Sequence, residues 1–492
     1  MSISAVPMAA SDRRWGGYLP LAAGVAVYVL MLAAGNILLR DPDTYWQVTI
    51  GQWIIDNRAV PTVDVYSWTM RGQPWISTQW LAQVLLASGV ALAGWAGPVV
   101  LAAAAIATTF ALLARFVGQR LAAMPTLVLL CAALALMVPH LLARPHVLAM
   151  PVMVGFVGGL VAAMDRRGAP SWWLLPLMAL WANLHGGFVL GLALIGAGAL
   201  DVVWHARPAA RLPLFLKWLA FGVAALIAAC LTPYGWESLL AARRILDLGQ
   251  ALALIGEWRA ADFGDPGPLE IVVLVGIALA LWRGVTLPPI RIMLVLGFVL
   301  MALGHVRNAE VLALLAPLVL AGPLAGQIGR SDGDNGPSRL TLVGVMLILV
   351  CGTLIFASAR PFQPHVSGSP VAAVEALKRL GVARVLNDYD FGGYLIASGV
   401  APYIDGRTEL YGETMMVAHH HFSSATNPDD LFRLLADERV EATLLRRQSP
   451  ATKLLDHLDG WRKVYADDLA VIHQRNAAER HSAEPLLRSS LD

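Results

Sequence analysis

Charge is what this chain has least of. Only 14% of its 492 residues are Asp, Glu, Lys or Arg, against about 25% in a soluble globular domain. That shortage excludes a water-solvated surface over most of the length. Cysteine is equally scarce: Cys131, Cys230 and Cys351 lie in or beside apolar runs, which excludes a disulfide framework and leaves no ligand cluster for zinc. Internal repeats and low-complexity arrays are missing. The formal net charge is +2 and the arginines are scattered, so nothing here is built to bind nucleic acid.

Apolar length is what the chain has in excess. It is 57% hydrophobic, and apolar runs recur from Leu19 to Ser358, approaching the ~20 residues that cross a bilayer core. About eleven spans are expected, at 17–38, 97–116, 124–139, 147–163, 170–184, 187–203, 213–231, 267–282, 290–304, 310–327 and 340–358. Arg13 and Arg14 precede the first run without a small-residue cleavage site, so that run is expected as a retained span. The reading is a polytopic α-helical membrane protein with a transmembrane region at 1–358.

Basic residues orient it. Arg115 and Arg120, Arg166 and Arg167, Arg207 and Arg211, Arg283 and Arg291, and Arg330 and Arg339 mark short connections as cytoplasmic. With a cytoplasmic amino terminus the alternation works only if the apolar stretch Thr78–Trp95 lies in or dips into the interface. Leu39–Ser77, His140–His146, His185–Gly187, Thr232–Pro266 and His305–Glu310 then face outward. These loops keep Arg40, Arg144, Arg243, Arg244, Arg259 and Arg307, with His140, His146, His185 and His305. Basic residues held against the topological bias point to an anionic ligand on the outer side.

The first outer loop, within 39–96, is the densest in chemistry. Asp41 and Asp43 sit where the chain leaves the first span. A carboxylate there is partly desolvated and so more basic, suited to act as a general base or to share a cation. Capping of a helix starting near Thr44 is the competing role. Trp46, Trp53, Trp68, Trp75 and Trp80 follow, either as an interfacial belt or, for Trp46 and Trp75, as walls for an acceptor sugar.

An acidic motif ending the first span, an amphipathic helix, and a Gly-x-Pro-Trp turn leading into Trp80-Leu81 together resemble the first external loop of the GT-C superfamily of glycosyltransferases. That superfamily includes protein O-mannosyltransferases, the aminoarabinose and galacturonic acid transferases acting on lipid A, and the catalytic subunit of oligosaccharyltransferase. The resemblance implies a polyprenyl-phosphate sugar donor, inversion, and a catalytic aspartate in this loop. Asp43 ranks ahead of Asp41 because Tyr45 and Trp46 follow it. It also implies that Mg²⁺ or Mn²⁺, if any metal, would sit on the two aspartates. The Asp-Glu pair of many members is missing here. The expected setting is the bacterial inner membrane, with a lipid, glycan or protein acceptor on the periplasmic side.

Other outward residues join this site as donor-phosphate candidates. Arg144 and His146 flank Pro145, which opens a helix whose amino terminus suits an anion. His185 stands before two glycines and either binds ligand or satisfies a backbone carbonyl. Arg243, Arg244 and Arg259 offer planar forks for phosphate, with Glu257 as their partner or as a second acid. His305 and Arg307 close the set.

After Ala359 the pattern changes to a small α/β domain, expected over 359–475 and followed by a loose tail at 476–492. Helices are expected at Val371–Leu380, Leu431–Ala436 and Thr452–Leu458, and strands at Ala383–Leu386, Ala442–Leu445, Trp461–Val464 and Leu469–His473. Two polar strings, Asn387–Tyr394 and Tyr403–Tyr411, place Asp388, Asp390, Asp405 and Arg407 at strand ends. There Asp388, Tyr394, Asp405 and Arg407 either make turns with an internal ion pair or hold the acceptor. Two other function classes compete: a transporter or flippase of lipid-linked intermediates, and a non-catalytic envelope-assembly scaffold. The first lacks any sign of inverted repeats.

Overall fold

A computed structural model describes residues 10–246, 249–254, 256–331, 336–437 and 439–476. Residues 477–492 of the expected C-terminal tail, residues 332–335 of the Ser331–Ser338 connection, and the side chains of Arg13, Arg14, Arg243 and Arg244 lie outside the described residues.

The chain is mostly helical. In order come α1 Ala10–Ala34, α2 Asp43–Asn57, α3 Trp80–Ala93, α4 Ala96–Gly118, α5 Ala123–Met137, α6 Pro145–Asp165 and α7 Leu174–Leu184. Next are α8 Phe188–His205, α9 Pro208–Ala229, α10 Glu237–Leu246, α11 Pro268–Arg283, α12 Pro289–Gly304, α13 Ala309–Ile328 and α14 Arg339–Ala359. Eight of the described helices are long and apolar enough to cross a membrane. Each of the eleven expected spans falls on a helix. The three outside the eight are α7, α11 and α12, which hold 11, 16 and 16 residues. At 1.5 Å per residue each falls short of a ~30 Å core. No residue of α14 is buried, and Leu340, Ile348 and Leu354 point away from the protein. An apolar face of that extent is solvated by lipid.

Two ends of the bundle can be told apart. At one, Ala143 N–H donates to the Leu38 carbonyl at 2.7 Å and His365 N–H to that of Leu39 at 3.1 Å. At the other, Arg120 and Arg291 both pair with Asp165, at 2.5 and 2.6 Å. α6 runs from the first end to the second, and α4 finishes beside it at the second. α4 therefore starts at the Leu38 end. α3 starts there as well, because Trp80 Nε1 donates to Asn183 Oδ1 at 2.8 Å, next to His185. Both ends of α3 thus lie at one end of the bundle.

Beyond α14 stand α15 Val371–Leu380, β1 Val385–Asn387, α16 Gly392–Ala397, α17 Thr408–Ser424, α18 Pro428–Asp437, β2 Ala442–Arg446, α19 Pro450–Leu455, β3 Trp461–Ala466 and β4 Ala470–Arg475. The four strands form one sheet in the order β1-β2-β4-β3, parallel only between β1 and β2. Asp388 does follow a strand. Asp405 and Arg407 do not: the chain before them pairs with side chains and with the first loop instead of a ladder. Asn387 Oδ1 accepts the Tyr403 N–H at 2.7 Å, and Trp68 N–H donates to the Pro402 carbonyl at 3.1 Å. Those bonds satisfy the backbone groups a strand would have paired.

Candidate active site

Asp41-Pro42 leads into α2, whose first residue is Asp43. Asp41 Oδ1 accepts the Asp43 N–H at 2.8 Å, a local side-chain bond to one of the N–H groups that open α2. Asp43 stands in the first helical turn, where the macrodipole favours a carboxylate. Its Oδ1 accepts from Trp46 Nε1 at 2.9 Å and its Oδ2 from Arg144 Nη2 at 2.5 Å. Arg144 is extended, at φ −123° and ψ 160°, as the residue before a proline must be. That conformation aims its fork back toward α2. Nη1 also reaches Asp41 Oδ2 at 3.2 Å and Glu257 Oε2 at 3.0 Å. Glu257 Oε1 in turn binds Arg307 Nη1 at 3.0 Å. The Arg307 guanidinium lies 4.4 Å from the centroid of the Trp258 ring.

These groups line a cavity of about 570 Å³ together with Trp46, His146, His185, Glu310, Tyr389, Gly406, Thr408 and Glu409. One wall is apolar, from Met150, Met153, Val189, Leu190 and Val311. His146 Nε2 is 3.2 Å from Glu310 Oε1. His185 Nδ1 accepts the Gly187 N–H at 3.1 Å, which leaves the proton of the neutral ring on Nε2.

Burial dominates the electrostatics. It raises the Asp43 carboxyl to about 7, opposed by Arg144 and the Trp46 hydrogen bond and helped by Asp41 and Glu257. Burial also acts to raise Glu257, but Arg144 and Arg307 outweigh it and hold that carboxyl at about 2. His185 is pushed down to about 3 by burial, with His146, Arg307 and Arg144 adding to the effect. The cavity therefore holds a carboxyl of raised basicity, Asp43, beside the ion pairs that Glu257 makes with Arg144 and Arg307.

Of the expected residues, Asp41, Asp43, Trp46, Arg144, His146, His185, Glu257 and Arg307 line this one cavity. His305 stands behind it, bonded through Nδ1 to the Trp258 carbonyl at 2.8 Å. Arg259 is exposed and does not line it. Among the candidates for acceptor binding, Trp75 donates to Glu409 Oε1 at 3.0 Å behind the cavity wall. Tyr394 packs edge-on against Tyr45, and Asp388 pairs with Arg446 at 3.4 Å. Asp405 and Arg407 are fully buried in an ion pair with each other. The geometry gives these five packing and clamping contacts. Glu310, Tyr389 and Glu409 were missed. Glu310 and Glu409 are brought to the cavity by the first turns of α13 and α17, and Tyr389 by the polar string that leads into α16.

A divalent cation bridging Asp41 and Asp43 would meet Arg144, whose nitrogens lie 3.2 and 2.5 Å from their Oδ2 atoms. Among the described residues there is no group of three or more His, Cys, Asp or Glu placed to hold a metal. The arrangement does not fit Mg²⁺ or Mn²⁺ at that position.

No family model matches the sequence, and no curated protein matches it. Solved structures do. The apo oligosaccharyltransferase of Archaeoglobus fulgidus superposes with a TM-score of 0.50 at 12% identity, over 88% of this chain and 70% of that one. The chain has a GT-C fold. Two further GT-C structures are similar to it. AglB from Archaeoglobus fulgidus, in complex with an inhibitory peptide and a dolichol-phosphate, gives 0.46 at 11% identity, over 87% and 69% of the chains. ArnT from Cupriavidus metallidurans, bound to undecaprenyl phosphate, gives 0.45 at 16%, over 94% and 98%.

Proposed function

We propose that this chain is an inverting glycosyltransferase that moves a sugar from a polyprenyl-phosphate donor to an acceptor hydroxyl on the outer side of the membrane. The observation that carries the reading is Asp43. It is a buried cavity carboxyl raised to about 7, with Oδ2 turned toward Arg144. Asp41 instead supports the start of α2, its Oδ1 accepting the Asp43 N–H. The apolar wall suits a polyprenyl chain and the two arginines suit its phosphate. The GT-C fold is in keeping with both.

In the step proposed, Asp43 takes the acceptor's hydroxyl proton while that oxygen bonds to the anomeric carbon. The bond from that carbon to the phosphate oxygen breaks on the opposite face, and its electron pair leaves with the phosphate. Arg144 and Arg307 balance the charge so created. Both are paired with Glu257 here, so Glu257 must yield its place to the phosphate.

The test is transfer of radiolabelled sugar from polyprenyl-phosphate donors by purified protein in nanodiscs. The wild type is expected to transfer from at least one donor. Asp43→Asn should lose roughly 10²–10⁴-fold in kcat. Because the base must be deprotonated, the wild-type rate should rise with pH through about 7 and then level. Undiminished transfer by folded Asp43→Asn would remove Asp43 from the chemistry.

A further inference from the structure

The two polar strings of the C-terminal unit remain unexplained by the transfer step, although both press on the segment that holds Asp43. A Cβ built on Gly406 would lie 2.0 Å from Asp43 Oδ1 and 2.9 Å from Trp46 Nε1. One built on Gly393, in the first string, would lie 2.4 Å from the Pro42 carbonyl oxygen and 3.3 Å from Trp46 Cδ1. Real side chains do not approach backbone oxygen that closely. Only glycine lets the outer unit sit this near the base.

Gly406 is itself held rigidly. The residues on either side of it, Asp405 and Arg407, are fully buried and form a bidentate pair at 2.8 and 2.7 Å. The third arm of the Arg407 fork reaches Asp64 Oδ1 at 2.6 Å, and Asp64 belongs to the first outer loop. Tyr411 O–H donates to Asp405 Oδ2 at 2.5 Å, and the guanidinium lies 4.9 Å from the Trp75 ring centroid. A buried charge group with every arm bonded does not rearrange cheaply. The turn it carries is therefore fixed relative to α2.

We infer that the C-terminal unit is a built part of the catalytic centre, in which the Asp405–Arg407–Asp64 clamp seats Gly406 against Asp43 and fixes the orientation of its carboxylate. Gly406 and Trp46 close the Oδ1 edge, which leaves Oδ2, held by Arg144, as the oxygen on the cavity side. Gly406 is a positioning residue and Arg407 acts through it. This rests on the proposed role of Asp43, but the contact can be tested apart from it.

The first arm is a melting cycle on the full chain in detergent, using Gly406→Ala, Asp43→Ala and the double variant. The φ of Gly406 is not in the left-handed region, so alanine there brings a clash without backbone strain. Gly406→Ala should lower the melting temperature in the wild-type background, and lower it by less than half as much once the Asp43 carboxylate is gone. Equal losses in both backgrounds, or none in either, would overturn the contact. The second arm is kinetic. Folded Gly406→Ala should lose roughly a hundredfold in kcat, as a misplaced group does, with donor KM within about twofold. The acid limb of its pH profile should move as well. Wild-type kcat and pH profile in folded Gly406→Ala would overturn the positioning role. A wild type inactive with every donor would sink the transfer reading and leave the melting cycle to judge the contact.

Discussion

Glu257 shows most directly how residue identity and environment combine. It is 28% exposed on its side chain, yet it bridges two arginines with separate oxygens. In the proposed reaction its carboxylate competes with the donor phosphate for those two forks. Replacing it by glutamine removes the competing charge without changing shape much. Partly exposed pairs are worth about 1 kcal/mol or less, so Glu257→Gln should tighten binding of undecaprenyl phosphate by roughly fivefold. Binding in nanodiscs near pH 7.5, where wild-type Glu257 is fully ionised, measures this. Unchanged or weaker binding would mean that Glu257 serves the phosphate and does not compete with it. The basic half of this network was legible in the sequence, because Arg144 and Arg307 lie on loops that the arginine pattern assigned to the outer side, where basic residues stand against the topological bias. Its acids, Asp41, Asp43 and Glu257, were named from the sequence too, whereas Glu310 and Glu409, in the first turns of α13 and α17, follow no such bias and only tertiary placement brings them to the cavity.

At the scale of elements, the site depends on how closely α2 lies on α3. A Cβ on Gly51 would fall 2.0 Å from the Gln83 carbonyl oxygen and 2.9 Å from Ala87 Cβ. That approach lets amide side chains knit the two helices beneath the cavity. Gln83 Nε2 donates to Gln47 Oε1 at 2.9 Å, Gln47 Nε2 to Gln79 Oε1 at 3.1 Å, and Ser77 Oγ to Gln83 Oε1 at 2.8 Å. Helix propensity alone would reward Gly51→Ala by about 1 kcal/mol. Overpacking against an unyielding carbonyl costs about 1–3 kcal/mol, so the clash should win. Gly51→Ala is expected to lower the melting temperature in detergent, whereas Gly196→Ala, which meets open space, should not. Equal behaviour of the two would show that the helices separate without cost. α2 itself was readable from its aromatic loop and from the Asp41-Pro42 that leads into it. α17 was not, because Gly412, at φ 72° and ψ 174°, breaks its helical geometry near the start.

Across the whole molecule, the spans were legible because lipid demands long apolar helices whatever packs against them. The network that locks them together at the end opposite the site was not, since its arginines also read as topological markers. Arg291 is 5% exposed and gathers several helices at once. Its Nη2 lies 2.6 Å from Asp165 of α6, its Nε 3.8 Å from Asp201 of α8, and its Nη1 donates to the Val319 carbonyl of α13 at 3.0 Å. Arg120, just past α4, holds the other oxygen of Asp165 at 2.5 Å. Removing one partner of a buried pair costs about 3–5 kcal/mol; without Arg291, Asp201 loses its arginine and Asp165 keeps only Arg120. Arg291→Met keeps the length of the side chain and removes only its charge and donors. It should lower the melting temperature by several degrees, and Asp201→Asn in the same background should recover part of the loss. The cavity lies at the other end of α6, so donor KM in the folded fraction should stay at the wild-type value. A KM that rises with the loss of stability would mean that this end and the site move together, and that the bundle transmits strain along α6 instead of insulating the site from it.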